Sequence, residues 1–208
     1  MLRKTTFFNT EDVEYGVSEL MKIEPKFVEA VSLSGVPKIR KSELGFKSLF
    51  KTIVGQQLST TAANSIWNRL YDSGMTVPTA LLASEDGFLR SLGLSKTKIS
   101  YAKGLALADI NYEEFLNKPD DYIIQKLLTI KGIGMWTAQI YLMFSLRRTD
   151  VFAAGDLALK EGVRILFDLE MRPSDDELTV IAKRWQPFRT IAAMIIWNYY
   201  GYMKRQKG

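Results

Sequence analysis

Neither cysteine nor histidine occurs anywhere in the 208 residues. That double absence excludes disulfides, zinc sites, iron–sulfur clusters, thiol nucleophiles and imidazole general bases. Acid–base chemistry, if there is any, must come from Asp, Glu, Lys or Tyr. No apolar run approaches the roughly 20 residues of a bilayer span, and the opening "MLRKTTFFNTEDVEYG" lacks a long apolar signal core. A cytoplasmic protein with no membrane partner is expected, nuclear if the source is eukaryotic. Strand signals are scarce, and there is no fixed-period repeat, low-complexity tract or clear linker.

With 47% apolar and 25% charged residues, the composition is that of a folded globular chain. The formal charge of +5 and a pI near 9.3 are compatible with a polyanionic partner without demanding one. Several of the positive charges sit in the terminal "MKRQKG", which reads as a solvated tail.

Helix signals run along the chain. Phe46, Leu49, Phe50 and Ile53 form one apolar stripe ending near Gly55, and Ala62, Ile66, Trp67 and Leu70 form a second, capped by Ser59 or Thr60. "VPTALLASEDGFLRSLGLSKTKISYAKGLALADI" reads as short helices punctuated by glycines. "KPDDYIIQKLLTI" is a helix with Ile123, Ile124, Leu127 and Leu128 inward, followed after "KGIG" by "MWTAQIYLMFSLR". Asp156 is placed as the N-cap of "LALKEGVRILFDL", Ser174 and Glu177 form a capping box, and Pro187 falls in the first turn of a last helix. The expectation is an all-α fold, with residues 1–208 making one continuous domain.

Two short stretches are candidates for function. In "LLTIKGIGMWTA" the glycines at 132 and 134 allow positive φ and close approach of the backbone to another surface. The helix that begins at about Gly134 directs its first N–H groups outward with partial positive charge, which suits a phosphate oxygen. The carbonyls of Leu128, Ile130 and Gly132 face the other way, where a structural Na+ or K+ could bridge them to the same phosphate. A bare Gly-x-Gly is also an ordinary helix–turn–helix corner. The second stretch is "TDVFAAGDLALKEG", in which Asp156 is either a helix cap or a rigidly held carboxylate for chemistry; the two roles can coincide.

The blocks "IVGQQLST", "GLSKTKISYAKGLA", "LLTIKGIGMWTA", "DVFAAGDLALK" and "WQPFRTIAAMIIW", in this order from about Phe46 to Tyr200, resemble the helix-hairpin-helix DNA glycosylases. Within that superfamily they are most similar to the 3-methyladenine DNA glycosylase II family. The resemblance implies a multi-helix, two-lobed fold with the active site in the cleft between the lobes and the helix-hairpin-helix motif at about 121–146. It implies a DNA repair enzyme that flips alkylated purines out of double-stranded DNA and hydrolyses the N-glycosidic bond, as a monomer and without an organic cofactor.

On the matching positions, the resemblance makes Asp156 catalytic. Lys131, Gly132, Ile133, Gly134 and Thr137 grip the DNA backbone, a contact that positions and does not read bases. Gln57, with Leu58 beside it, stands at the tip of the wedge that fills the gap left by the flipped base; the residues alone would read as a turn. Trp197 and Trp136 are implied at the base pocket, where aromatic faces attract a cationic base, and core packing is the ordinary alternative. Ile140 stands where the family often has Tyr. Lyase relatives place a nucleophilic Lys two residues after the second hairpin glycine, where this chain has Trp136, so strand nicking is not expected. The reading that competes from another class is a non-enzymatic helix-hairpin-helix module; a third is a glycosylase for other damaged bases.

Overall fold

The computed structural model describes residues 6–7, 9–39 and 42–206. Twelve α-helices run through them, and extended pairing among the described residues is limited to a single antiparallel bridge between Thr6 and Arg148. The all-α expectation therefore holds. The chain divides into two units. One is made by its two ends (Met1–Lys41 with Leu142–Gly208) and the other by Ser42–Tyr141.

The Ser42–Tyr141 unit holds α3 (Phe46–Gly55), α4 (Thr60–Asp72), α5 (Pro78–Ala83), α6 (Asp86–Ser91), α7 (Lys96–Leu107), a 3-10 turn at Glu113–Asn117, α8 (Asp120–Leu128) and the start of α9 (Met135–Phe144). The stripe on α3 buries Phe46, Leu49, Phe50 and Ile53, as its spacing predicts. Ser59 starts α4 by accepting the Ala62 N–H, a cap contributing about 1 kcal/mol. On α8, Ile123 and Leu127 are buried while Ile124 and Leu128 are half-buried. The inward face is thus narrower than the four-residue stripe expected. Tyr141 of α9 is buried and its hydroxyl accepts the Gly45 N–H at the head of α3 (3.1 Å).

In the other unit the chain begins with two helices not among those expected from the sequence, α1 (Thr10–Ile23), which buries Val13, Val17 and Leu20 at helical spacing, and α2 (Pro25–Ser34). It continues with α10 (Leu157–Leu166), α11 (Asp175–Ala182), a 3-10 turn at Lys183–Trp185 and α12 (Arg189–Gln206). α12 is the axis. Eight of its residues from Thr190 to Tyr199 are buried, because "TIAAMII" is apolar on every side and must be covered all round. α1, α2 and α10 pack against it. Gly162 permits the α10 contact: a Cβ there would lie 2.6 Å from Ile196 Cγ2. Trp185 is fully buried among Phe27, Phe152 and Phe167.

Two local expectations are corrected. Pro187 lies before α12 and not in its first turn; the Phe188 N–H returns to the Trp185 carbonyl (2.8 Å), so the chain is still turning there. Met203–Gln206 are the last turn of α12, solvated as expected at 204–206 but helical, while Lys207 and Gly208 lie outside the described residues.

Candidate functional site

Asp156 does cap a helix. It has extended backbone dihedrals at the head of α10, and its Oδ1 accepts the Leu159 N–H (2.9 Å). The same oxygen accepts Trp197 Nε1–H from α12 (3.0 Å). Two residues expected at the site, 41 positions apart, are thus joined directly. The Trp197 ring lies against Phe144 (centroids 5.7 Å, planes at 38°), so its orientation is held by apolar contact while its polar edge meets the carboxylate. Trp185, in the same unit, has no hydrogen-bond acceptor for its indole nitrogen among the described residues. Its role is packing among Phe27, Phe152 and Phe167; Trp197 has a second one.

The segment leading to Asp156 is pinned by the head of α12. Arg189 donates to both carboxylate oxygens of Asp150 (Nε 2.7 Å, Nη2 3.1 Å) and to the Asp150 carbonyl (2.8 Å). Thr190 donates its N–H to the Thr149 carbonyl (2.9 Å) and its hydroxyl to the Val151 carbonyl (2.9 Å), and accepts the Val151 N–H (3.2 Å). Val151–Ala154 are buried, and the Asp156 N–H closes the turn onto the Ala153 carbonyl (2.9 Å). A bidentate Arg–carboxylate pair fixes direction as well as distance. The carboxylate is therefore positioned from both sides. Lys160, one turn along α10, is paired with Asp175.

The hairpin belongs to the Ser42–Tyr141 unit. The Ile130 N–H donates to the Leu127 carbonyl (3.1 Å) and the Ile133 N–H to the Ile130 carbonyl (3.0 Å), closing the turn. Gly132 sits at φ +94°, and a Cβ on it would fall 2.3 Å from the Tyr101 ring of α7. Glycine is required there twice over, by backbone and by contact. Around Gly134 the corresponding space is open. The first helical bond of α9 is Ala138 N–H to the Gly134 carbonyl (3.0 Å), so the amides of Met135, Trp136 and Thr137 form the positive end of the helix.

Lys131 and Gly134 are exposed, while Ile133 and Thr137 are buried. Trp136 and Ile140 are half-buried on α9. The Ile130 carbonyl accepts Ile133 N–H, and the Gly132 carbonyl accepts Gln56 Nε2–H (3.0 Å).

Between α3 and α4, Gln57 is exposed at φ +58° and Leu58 is 40% exposed. A non-glycine residue in that region is strained by about 1 kcal/mol. Lys98 of α7 donates to the Val54 carbonyl in the last turn of α3 (2.6 Å), and burial lowers its pKa. Burial also pushes the Tyr112 phenol up to about 12 and Tyr141 further in the same direction, which removes both as acids or bases near neutral pH. The signals for Gln56, Arg189–Asp150 and Phe144 in the sequence were weak: each acts through a partner dozens of residues away.

A pinned carboxylate at a helix N-terminus and a glycine hairpin ahead of another helix define an all-α protein of the helix-hairpin-helix type. Residues 50–187 match the family model described as HhH-GPD superfamily base excision DNA repair protein. The chain is 34% identical over 162 residues to DNA-3-methyladenine glycosylase 1 of Schizosaccharomyces pombe, covering 74% of this chain and 71% of that one. It superimposes on the S. pombe 3-methyladenine DNA glycosylase (Mag1) in complex with abasic DNA with a TM-score of 0.82 at 30% identity, over 88% of this chain and 95% of the other. A DNA-3-methyladenine glycosidase from Bacillus halodurans gives a TM-score of 0.78, also at 30% identity, over 92% and 91%. The chain belongs to the HhH-GPD superfamily of base excision DNA repair proteins. That membership makes it a DNA-binding glycosylase of base excision repair.

Proposed function

We propose that this glycosylase is a monofunctional hydrolase that removes alkylated purines such as 3-methyladenine from double-stranded DNA, acting as a monomer. The observation that carries the reading is the convergence of Leu159 N–H and Trp197 Nε1–H on one oxygen of Asp156. A carboxylate so held is fixed in direction.

Breaking an N-glycosidic bond builds positive charge on the sugar as the base departs. At about 4 Å and an effective dielectric near 20, a carboxylate attracts that charge by about 4 kcal/mol, roughly three powers of ten in rate. Asp156 also orients or deprotonates the attacking water. An alkylated purine already carries positive charge and leaves readily, so one Asp suffices where there is no histidine. Extrusion of the base costs a few kcal/mol and is assigned to the Gln57–Leu58 loop. Of the three residues expected at the base pocket, Trp197 is the one bonded to Asp156; contact of Trp136 and Ile140 with the base is proposed on the family resemblance alone.

Water is the nucleophile in this reading, because Trp136 fills the place of the lyase lysine and Lys160 is paired with Asp175. The backbone amides at Gly132–Thr137, with Lys131, hold phosphate. A Na+ or K+ at the hairpin would take the carbonyl of Leu128 and the second lone pairs of Ile130 and Gly132, whose first ones are used within the protein.

The test is release of free base from methylated duplex DNA. The wild type should liberate 3-methyladenine and leave alkali-labile abasic sites. Asp156→Asn should release none while binding the duplex as before. Asn caps a helix as well as Asp does, so unchanged activity in that variant would leave Asp156 a cap only and the protein a non-enzymatic binding module. A nick without alkali would overturn the monofunctional assignment.

A further inference from the structure

Gln56 stands next to the exposed pair Gln57–Leu58 yet is half-buried, and its side chain turns away from them. Its amide Nε2–H donates to the Gly132 carbonyl at 3.0 Å, across 76 positions of sequence. Gly132 is the residue whose positive φ makes the hairpin, and on its other face lies the Tyr101 ring. Three residues before Tyr101 on the same helix, Lys98 holds the Val54 carbonyl, where α3 runs into the loop. The three contacts form a closed circuit within one unit: loop to hairpin through Gln56, hairpin to α7 through Tyr101, and α7 back to the root of the loop through Lys98.

We infer that Gln56 is a positioning residue that fixes the wedge tip relative to the phosphate-gripping hairpin, so that the depth of the probe is set by where the backbone is held. The inference rests on the proposed glycosylase reading for what the two loops do. Its physical basis is the strained turn. Gln57 keeps a left-handed conformation within a turn closed by the Leu58 N–H on the Gly55 carbonyl (3.2 Å), and the side-chain bond of the preceding residue ties that turn to the hairpin. An apolar side chain at 56 would fill the same space without fixing register, because only the directional amide donor distinguishes one alignment of the two loops from another. One lone pair of the Gly132 carbonyl is thereby used within the protein, and the hairpin's amide side is left to the DNA.

The experiment compares wild type with Gln56→Glu, which keeps the length and removes the donor, and with Gln56→Met, which keeps only bulk. Three quantities are read: affinity for undamaged duplex, fluorescence of 2-aminopurine beside an abasic-site analogue as a report of insertion, and single-turnover release of 3-methyladenine. Both variants should bind undamaged duplex within about twofold of wild type. Each should lose about tenfold in release rate, the order expected of one hydrogen bond, and the fluorescence change should weaken alongside. Melting temperatures establish that both variants are folded. Equal losses in all three readouts would make Gln56 part of the grip or of the core, and unaltered insertion and release would make the bond incidental; either overturns the inference. If the wild type releases no base, the glycosylase reading fails, and the fluorescence and affinity measurements still decide whether Gln56 couples the loops.

Discussion

The two functional regions are built from different material. Around Asp156 the local Leu159 N–H is joined by side chains from α12: the indole of Trp197 on the carboxylate, the guanidinium of Arg189 on Asp150 and the hydroxyl of Thr190 on Val151. At the hairpin the groups proposed to hold phosphate are peptide amides, and side chains shape the backbone, as Tyr101 does behind Gly132. The contrast follows from the tasks. A sugar cation must be met by one charge at one point, whereas a phosphate is the same at every step of a duplex and is held by any well-aimed set of N–H donors. Chemistry is accordingly sensitive to single side-chain changes, and grip to changes in backbone shape.

Substitutions can break or sharpen this contrast. The largest effect is expected of Gly132→Ala. A Cβ at φ +94° carries about 1–2 kcal/mol of backbone strain, and displacement of Tyr101 adds about 1–3 kcal/mol. Chemical denaturation should therefore register a loss of about 2–5 kcal/mol, together with weakened duplex binding. Gly134→Ala is the foil: with open space at that position, its denaturation midpoint should stay near wild type while duplex affinity falls. Equal stability losses in the two variants would erase the distinction drawn between the glycines.

Trp197→Phe comes next and acts on the other region. It keeps a ring against Phe144 and deletes the N–H to Asp156, a hydrogen bond to a charged group of about 1.5–3 kcal/mol. Single-turnover base release should fall by about ten- to a hundredfold, with affinity for undamaged duplex unchanged. A comparable fall in duplex binding would mean that Trp197 belongs to the grip.

The smallest effect lies outside both regions. Arg164 and Arg172 hold the Glu161 carboxyl at about 2, well below its ordinary value of 4.5. Because the folded-state pKa is depressed, the stabilisation is complete above about pH 4.5 and is lost as pH falls toward 2. With Arg172 57% exposed, solvent screening limits it to about 1 kcal/mol. Glu161→Gln should melt slightly below wild type at pH 7, and the gap should close as melts are taken downward from pH 4.5. A gap that widens in acid would reverse the assignment.

What could be read from the sequence was what is local. Ser59, Asp156 and Ser174 act as caps within three residues of their partners, and the α3 stripe buries itself within its own helix period. α1 had a comparable signal in the Asn9–Asp12 capping box and in Val13, Val17 and Leu20 at helical spacing, and α2 has Pro25 in its first turn but a short buried face of Phe27 and Ala30. Pro187 was misplaced by the general preference of proline for the first turn, which the Trp185–Phe188 turn overrides. Asp156 with Trp197, Asp150 with Arg189 and Gln56 with Gly132 are separated by 41, 39 and 76 positions. No spacing rule reaches that far; only the family resemblance pointed to Trp197, and it pointed to a different role.

The helix that pins Asp156 is also the one most enclosed by its own unit. Arg189 and Thr190 at its head, Trp197 two turns on and a buried stretch between them make α12 a single rigid strut. Loosening the carboxylate therefore requires opening the most protected part of that unit, where local fluctuations cost nearly as much as complete unfolding. Amide protons along Ile191–Ile196 should be among the last to exchange with solvent. Heat inactivation should follow the cooperative melting of the unit, with no earlier stage in which the protein is folded and its aspartate adrift.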